Sequence, residues 1–123
     1  MAKAKIRLGR SMSNAQCTEY ERAIRCLIGK RATTGAPGIT SYGELSKFLY
    51  GTADYTKAVG LALAVNYNRI RNWYLVIGEY GEILIDDAAM RGTQVQLLQK
   101  DGIEVIAGRF VDVSVPIRVP VTV

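Results

Sequence analysis

The chain has 123 residues, 49% of them hydrophobic and 22% charged, with a formal net charge of +5. That balance suits one folded domain with a real core and excludes a disordered or fibrous chain, and the basic excess is compatible with nucleic acid without requiring it. There is no histidine, which excludes Ser-His-Asp and Cys-His catalysis and the usual zinc sets; no apolar stretch is long enough to span a bilayer.

Residues 1–12 carry Lys3, Lys5, Arg7 and Arg10 and are expected to form a basic arm, with the domain proper over 13–123. With no secretory signal, a cytoplasmic location is expected. Residues 13–30 read as a helix. Ser13 can cap it, and Cys17, Tyr20, Ile24, Leu27 and Ile28 recur at helical spacing. On that helix Cys17 and Cys26 would lie about 13.5 Å apart on opposite faces, too far to join. "RATTGAPG" (31–38) is a loop of turn residues.

In "TSYGELSKFLYG", Ser41 and Glu44 have capping-box spacing, Leu45, Phe48 and Leu49 make an apolar face, and Gly51 is a stop. After a short turn, Asp54 can cap "YTKAVGLALAV", with Val59, Ala62 and Leu63 inward. Gly60 costs that helix about 1 kcal/mol against alanine, which suggests close packing by another element. Two short helices joined by a tight turn have the order of a helix-turn-helix.

"WYLVIG" (73–78) and "EILI" (82–85) flank "EYG" and read as a β-hairpin. Residues 92–101 read as a helix stopped by Gly102. "IEVI", the turn "AG" and "RFVDVSV" suggest a further strand pair. Pro116 and Pro120 keep the last segment at a sheet edge or outside a sheet. The expected fold is α+β: one small winged-helix-like domain with a helix-turn-helix and a hairpin wing. Asp86, Asp87, Asp101 and Glu104 are the acids available to a metal; adjacent acids in a loop are more often solvated, so no metal or cofactor is expected.

"ITSYGELSKFL", "KAVGLALAVN", the segment at Trp73, the hairpin glycine Gly81 and "QVQLLQKDGIEV" stand in the order found in the DNA-binding domain of the 6-O-alkylguanine-DNA alkyltransferases. The resemblance covers roughly residues 17–112. Tryptophan at the place of the reactive cysteine is similar to the alkyltransferase-like proteins, which bind alkylated guanine in DNA without transferring the alkyl group and mark it for excision repair. The resemblance implies a non-enzymatic, monomeric protein whose partners are double-stranded DNA containing 6-O-alkylguanine and nucleotide-excision-repair proteins.

Carried over residue by residue, the resemblance places Ser41 and Tyr42 at a target phosphate, Lys57 at the finger that fills the gap left by a flipped base, Gly60 at the family glycine and Asn66 at the hinge. Trp73, Tyr74 and Arg91 would line the lesion pocket. An indole has no nucleophile, so alkyl transfer at that position is chemically excluded. Arg69 and Arg71 alternate with Ile70, and phosphate is read as their partner. The pattern differs at Lys57, where the family has arginine, and at Asn72, Tyr74 and Leu75, which stand for proline, histidine and arginine. Asp86 and Asp87 would repel phosphate. The alternative reading is an interaction or regulatory module, binding DNA non-specifically or a protein, with a vestigial pocket.

Overall fold

The computed structural model describes residues 11–32 and 38–111. The basic stretch over 1–10, most of the 31–38 loop and the segment with Pro116 and Pro120 lie outside the described residues. Met12, assigned to the arm from sequence, packs on the core, and its N–H donates to Asn66 Oδ1 at 2.9 Å.

Helix α1 runs Asn14–Ala32. Ser13 Oγ accepts from the Gln16 N–H at 3.2 Å, which satisfies one of the amides left open at a helix start. Its buried stripe is Cys17, Tyr20, Ala23, Ile24 and Leu27, while Cys26 faces outward. Helix α2 (Tyr42–Tyr50) is capped by Ser41, whose Oγ accepts from the Glu44 N–H at 3.1 Å, and stops at Gly51. Leu45 and Leu49 are buried. Phe48, expected inward, is exposed, with the Lys30 ammonium 5.9 Å from its ring centre.

A 3-10 turn, Ala53–Tyr55, joins α2 to helix α3 (Thr56–Asn66). The cap of that turn is Thr52, not Asp54: the Thr52 hydroxyl accepts from the Asp54 N–H. Val59, Ala62 and Leu63 face the core as the spacing predicts, but Leu61 and Val65 on the other side are exposed. A helix apolar on both sides has a second face to account for.

The hairpin expected over 73–85 does not form. Trp73–Leu75 is a 3-10 turn, and only Val76–Ile77 is a strand (β2). It pairs in parallel with β1, Thr40–Ser41, in the register Thr40 with Val76 and Ser41 with Ile77. All four residues are buried. This pairing ties the start of α2 to the chain just after Trp73. Gln94 Nε2 donates to the carbonyls of Tyr74 and Val76, clamping the same segment to helix α4, Ala88–Lys100. That helix begins four residues before the expected 92, because the Asp87 carboxylate caps it through the Met90 N–H at 2.9 Å.

The antiparallel hairpin is the later pair: β3 (Val105–Ile106) and β4 (Phe110–Val111), turned through Ala107 and Gly108 at positive φ. Gly81–Ile83 lie along β4, with the Val111 N–H on Gly81 O and the Ile83 N–H on Arg109 O, both 2.8 Å. The "EILI" segment thus meets "WYLVIG" only at the turn, where the Gly78 N–H donates to Glu82 O at 2.7 Å, and pairs beyond it with the later hairpin. The described residues form a small α+β domain of four helices and short strands, with one core cluster under α1–α3 and a second around Ile39, Ile77, Ile83, Leu98 and Val111.

Candidate nucleic-acid interface

An open cavity of about 890 Å³ lies between α3, the start of α4 and the 84–87 loop, within the ~300–1,000 Å³ range of ligand sites. Tyr42, Lys57 and Gly60 line it, as do Leu61, Tyr67, Asp86 and Asp87. Three residues picked from sequence therefore converge on one hollow, although two of them, Tyr42 and Gly60, come from different helices.

Tyr42 is not the exposed ring that a helix start suggests. It is 9% exposed, and burial pushes its hydroxyl up to about 12. Its ring therefore forms a wall with a hydroxyl that stays protonated at neutral pH. Gly60 lies against that ring, but not so tightly that glycine is required. A methyl built there would meet Tyr42 Cδ1 at 3.6 Å, an ordinary contact. The close-packing expectation is corrected in degree: another element, Tyr42 of α2, does lie against Gly60, but at an ordinary contact distance that alanine also permits. Gly60→Ala is expected to raise stability by up to about 1 kcal/mol, measured by urea unfolding, while narrowing the cavity. Lys57, exposed on the first turn of α3, forms no ion pair among the described residues.

The other sequence-predicted residues are engaged elsewhere. Ser41 is buried and its hydroxyl caps α2, so it has no face for phosphate. Asn66 is buried; its Nδ2 donates to Ala62 O, and its Oδ1 accepts from the Met12 N–H and from Arg69. Arg69 donates to Met12 O and Asn14 Oδ1, both at 2.6 Å. Arg71 pairs with Glu21 at 3.3 Å, though its side chain stays 88% exposed. Both arginines do project to one side, but that side is α1, where they fasten the 67–72 connection.

Trp73 is 6% exposed and belongs to the core, not to the cavity wall. Its ring meets Tyr67 edge-on, with centres 5.4 Å apart, and Tyr67 is a wall residue. The indole therefore sits one side chain behind the hollow. Tyr74 also falls outside the wall. Its hydroxyl donates to Asp101 Oδ2 at 2.5 Å, and it is pushed up to about 12, by burial first and then by that carboxylate. Arg91 donates to Ile85 O at 3.1 Å and so braces the 84–87 loop from outside the cavity. Sequence reasoning missed the wall residues Leu61, Ala64, Tyr67, Leu84, Met90 and Thr93; the apolar surplus on the outer face of α3 was the available signal.

Among the described residues no three Cys, Asp or Glu side chains gather as metal ligands, and no helix is long and apolar enough to cross a membrane. The fold and cavity define a small α+β domain with a half-open, largely apolar site beside the second helix of a helical pair. No family model, curated protein or solved structure matches the chain.

Proposed function

We propose that this protein is a non-enzymatic DNA-binding protein of winged-helix type that accepts an extruded, alkylated guanine in the α3–α4 cavity and flags it for repair proteins. The observation that carries the reading is the convergence of Tyr42, Lys57 and Gly60 on one open hollow along α3. These are the positions at which the resemblance to alkyltransferase-like proteins places phosphate contact, gap filling and the family glycine. Helix α3 would lie in a groove with Lys57 at the gap, and the base would rest between Tyr42 and Tyr67. An aromatic wall suits an unstacked base because its π-face replaces the lost stacking. Trp73 would support Tyr67 from behind rather than touch the base.

Duplexes with one guanine alkylated, at either the six-oxygen or a ring nitrogen, are expected to bind more tightly than the unmodified duplex in a fluorescence titration. Lys57→Ala is expected to weaken binding to every duplex and to flatten the salt dependence by about one unit of slope. Equal affinity for all duplexes removes the lesion reading. A second reading, a module that binds a protein partner, is favoured by the exposed Leu61, Tyr67 and Leu84 beside Asp86 and Asp87. Absence of DNA binding at low salt would select it.

A further inference from the structure

The charges around the cavity do not match a neutral guest. Asp86 and Asp87 both line it, against the single lysine Lys57. Asp87 spends one oxygen on the Met90 N–H, and the Asp86 side chain has no hydrogen bond or ion pair among the described residues. Two electron-rich phenol rings, Tyr42 and Tyr67, and the apolar Leu61 and Leu84 complete the part that concerns a base. Carboxylates and phenol rings in one hollow attract cations, the first by charge and the second by the ring quadrupole.

Resting on the DNA-binding reading, we infer that the preferred guest is a purine made cationic by alkylation at a ring nitrogen, not the neutral 6-O-alkylated base. The two lesions differ in what they offer a carboxylate. Alkylation at the six-oxygen leaves an ether oxygen and an N1 lone pair, both acceptors, with the two-amino group as the one remaining donor on that edge, and no charge. Alkylation at N7 keeps the N1–H and the two-amino group as donors and adds a full positive charge to the ring. The first edge offers a carboxylate one donor flanked by a lone pair; the second offers two adjacent donors and a charge. The same acids discourage the phosphate backbone from settling into the hollow, so they also separate a guest base from unmodified DNA. Lys57 does not cancel this preference once DNA is bound, because phosphates then neutralise it.

The test uses the full chain and three duplexes of one sequence, carrying guanine, 6-O-methylguanine or 7-methylguanine at one position. Titrations run at fixed salt and mildly acidic pH, where the N1–H of 7-methylguanine is retained. The 7-methylguanine duplex is expected to bind about tenfold more tightly than the guanine duplex, the combined size of a cation–π contact and a partly exposed ion pair. Asp86→Asn is expected to cut that preference to about threefold, the part left to the phenol rings and Asp87. Preference for 6-O-methylguanine, with 7-methylguanine no better than guanine, overturns this inference and leaves the DNA reading standing. No preference among the three overturns both. A 7-methylguanine preference that Asp86→Asn leaves at its full size overturns the role assigned to that carboxylate.

Discussion

Trp73→Ala is expected to destabilise the protein by about 3–5 kcal/mol, the cost of emptying a large aromatic from a packed core. Against a total stability of about 5–15 kcal/mol this removes a large share of the margin. The expectation follows from position. The ring is 6% exposed and meets Tyr67 and Tyr74 edge-on, with centres 5.4 and 6.4 Å away. Removing it withdraws support from Tyr67, a cavity wall, and from Tyr74, whose carbonyl is held by Gln94. Urea unfolding measures the loss; a cost under about 1 kcal/mol would show an indole standing in solvent. Any loss of DNA binding by this variant is therefore ambiguous, and Trp73→Phe separates the two effects. Phenylalanine keeps an aromatic ring in the core at a smaller cost, about 1–2 kcal/mol. If the indole acts only from behind Tyr67, the phenylalanine variant, assayed well below its melting temperature, keeps its preference among duplexes.

The legibility of the chain divides by the range of the forces involved. Helices α1 and α2 follow from local signals: Ser13 and Ser41 as caps, apolar residues at helical spacing, and Gly51 as a stop. The start of α4 is a local signal too: "DDAAM" places an aspartate cap before strong helix formers, upstream of the expected start at 92. The 73–78 run misled because its β-rich composition says that it is buried without saying what it pairs with. Its partner, Thr40–Ser41, lies more than thirty residues away and runs parallel, a pairing set by tertiary packing. The site shows a similar division. Tyr42, Lys57 and Gly60 reach the cavity. Ser41, Asn66 and Arg69 are polar at the expected positions, but the fold consumes their hydrogen-bonding groups. Residue type alone does not separate a donor aimed at DNA from one that closes a loop.

Gly81→Ala is expected to cost about 3 kcal/mol, from two additive sources. At φ +91° a side chain is strained, which accounts for roughly 1–2 kcal/mol. The new methyl would also lie 2.1 Å from Val111 O, a backbone atom that cannot rotate away. That oxygen lies on β4, and the Val111 N–H is itself bonded to Gly81 O at 2.8 Å. Relieving the clash must therefore break the bond that joins the 81–83 segment to the hairpin. Gly102 supplies the control. It has a similar φ of +81°, but a methyl there meets nothing within 4 Å. Gly102→Ala should show the conformational strain alone, about 1–2 kcal/mol. The difference between the two midpoints in urea then isolates the contact with β4, provided the slopes agree. Ile83 and Val111 share the second core cluster with Ile77 and Leu98, so the damage should spread to β2. Amide exchange at Ile77 and Val111 is expected to accelerate together in the Gly81 variant and to stay slow in the Gly102 variant. Equal losses from the two substitutions would mean that Gly81 does not lie against β4.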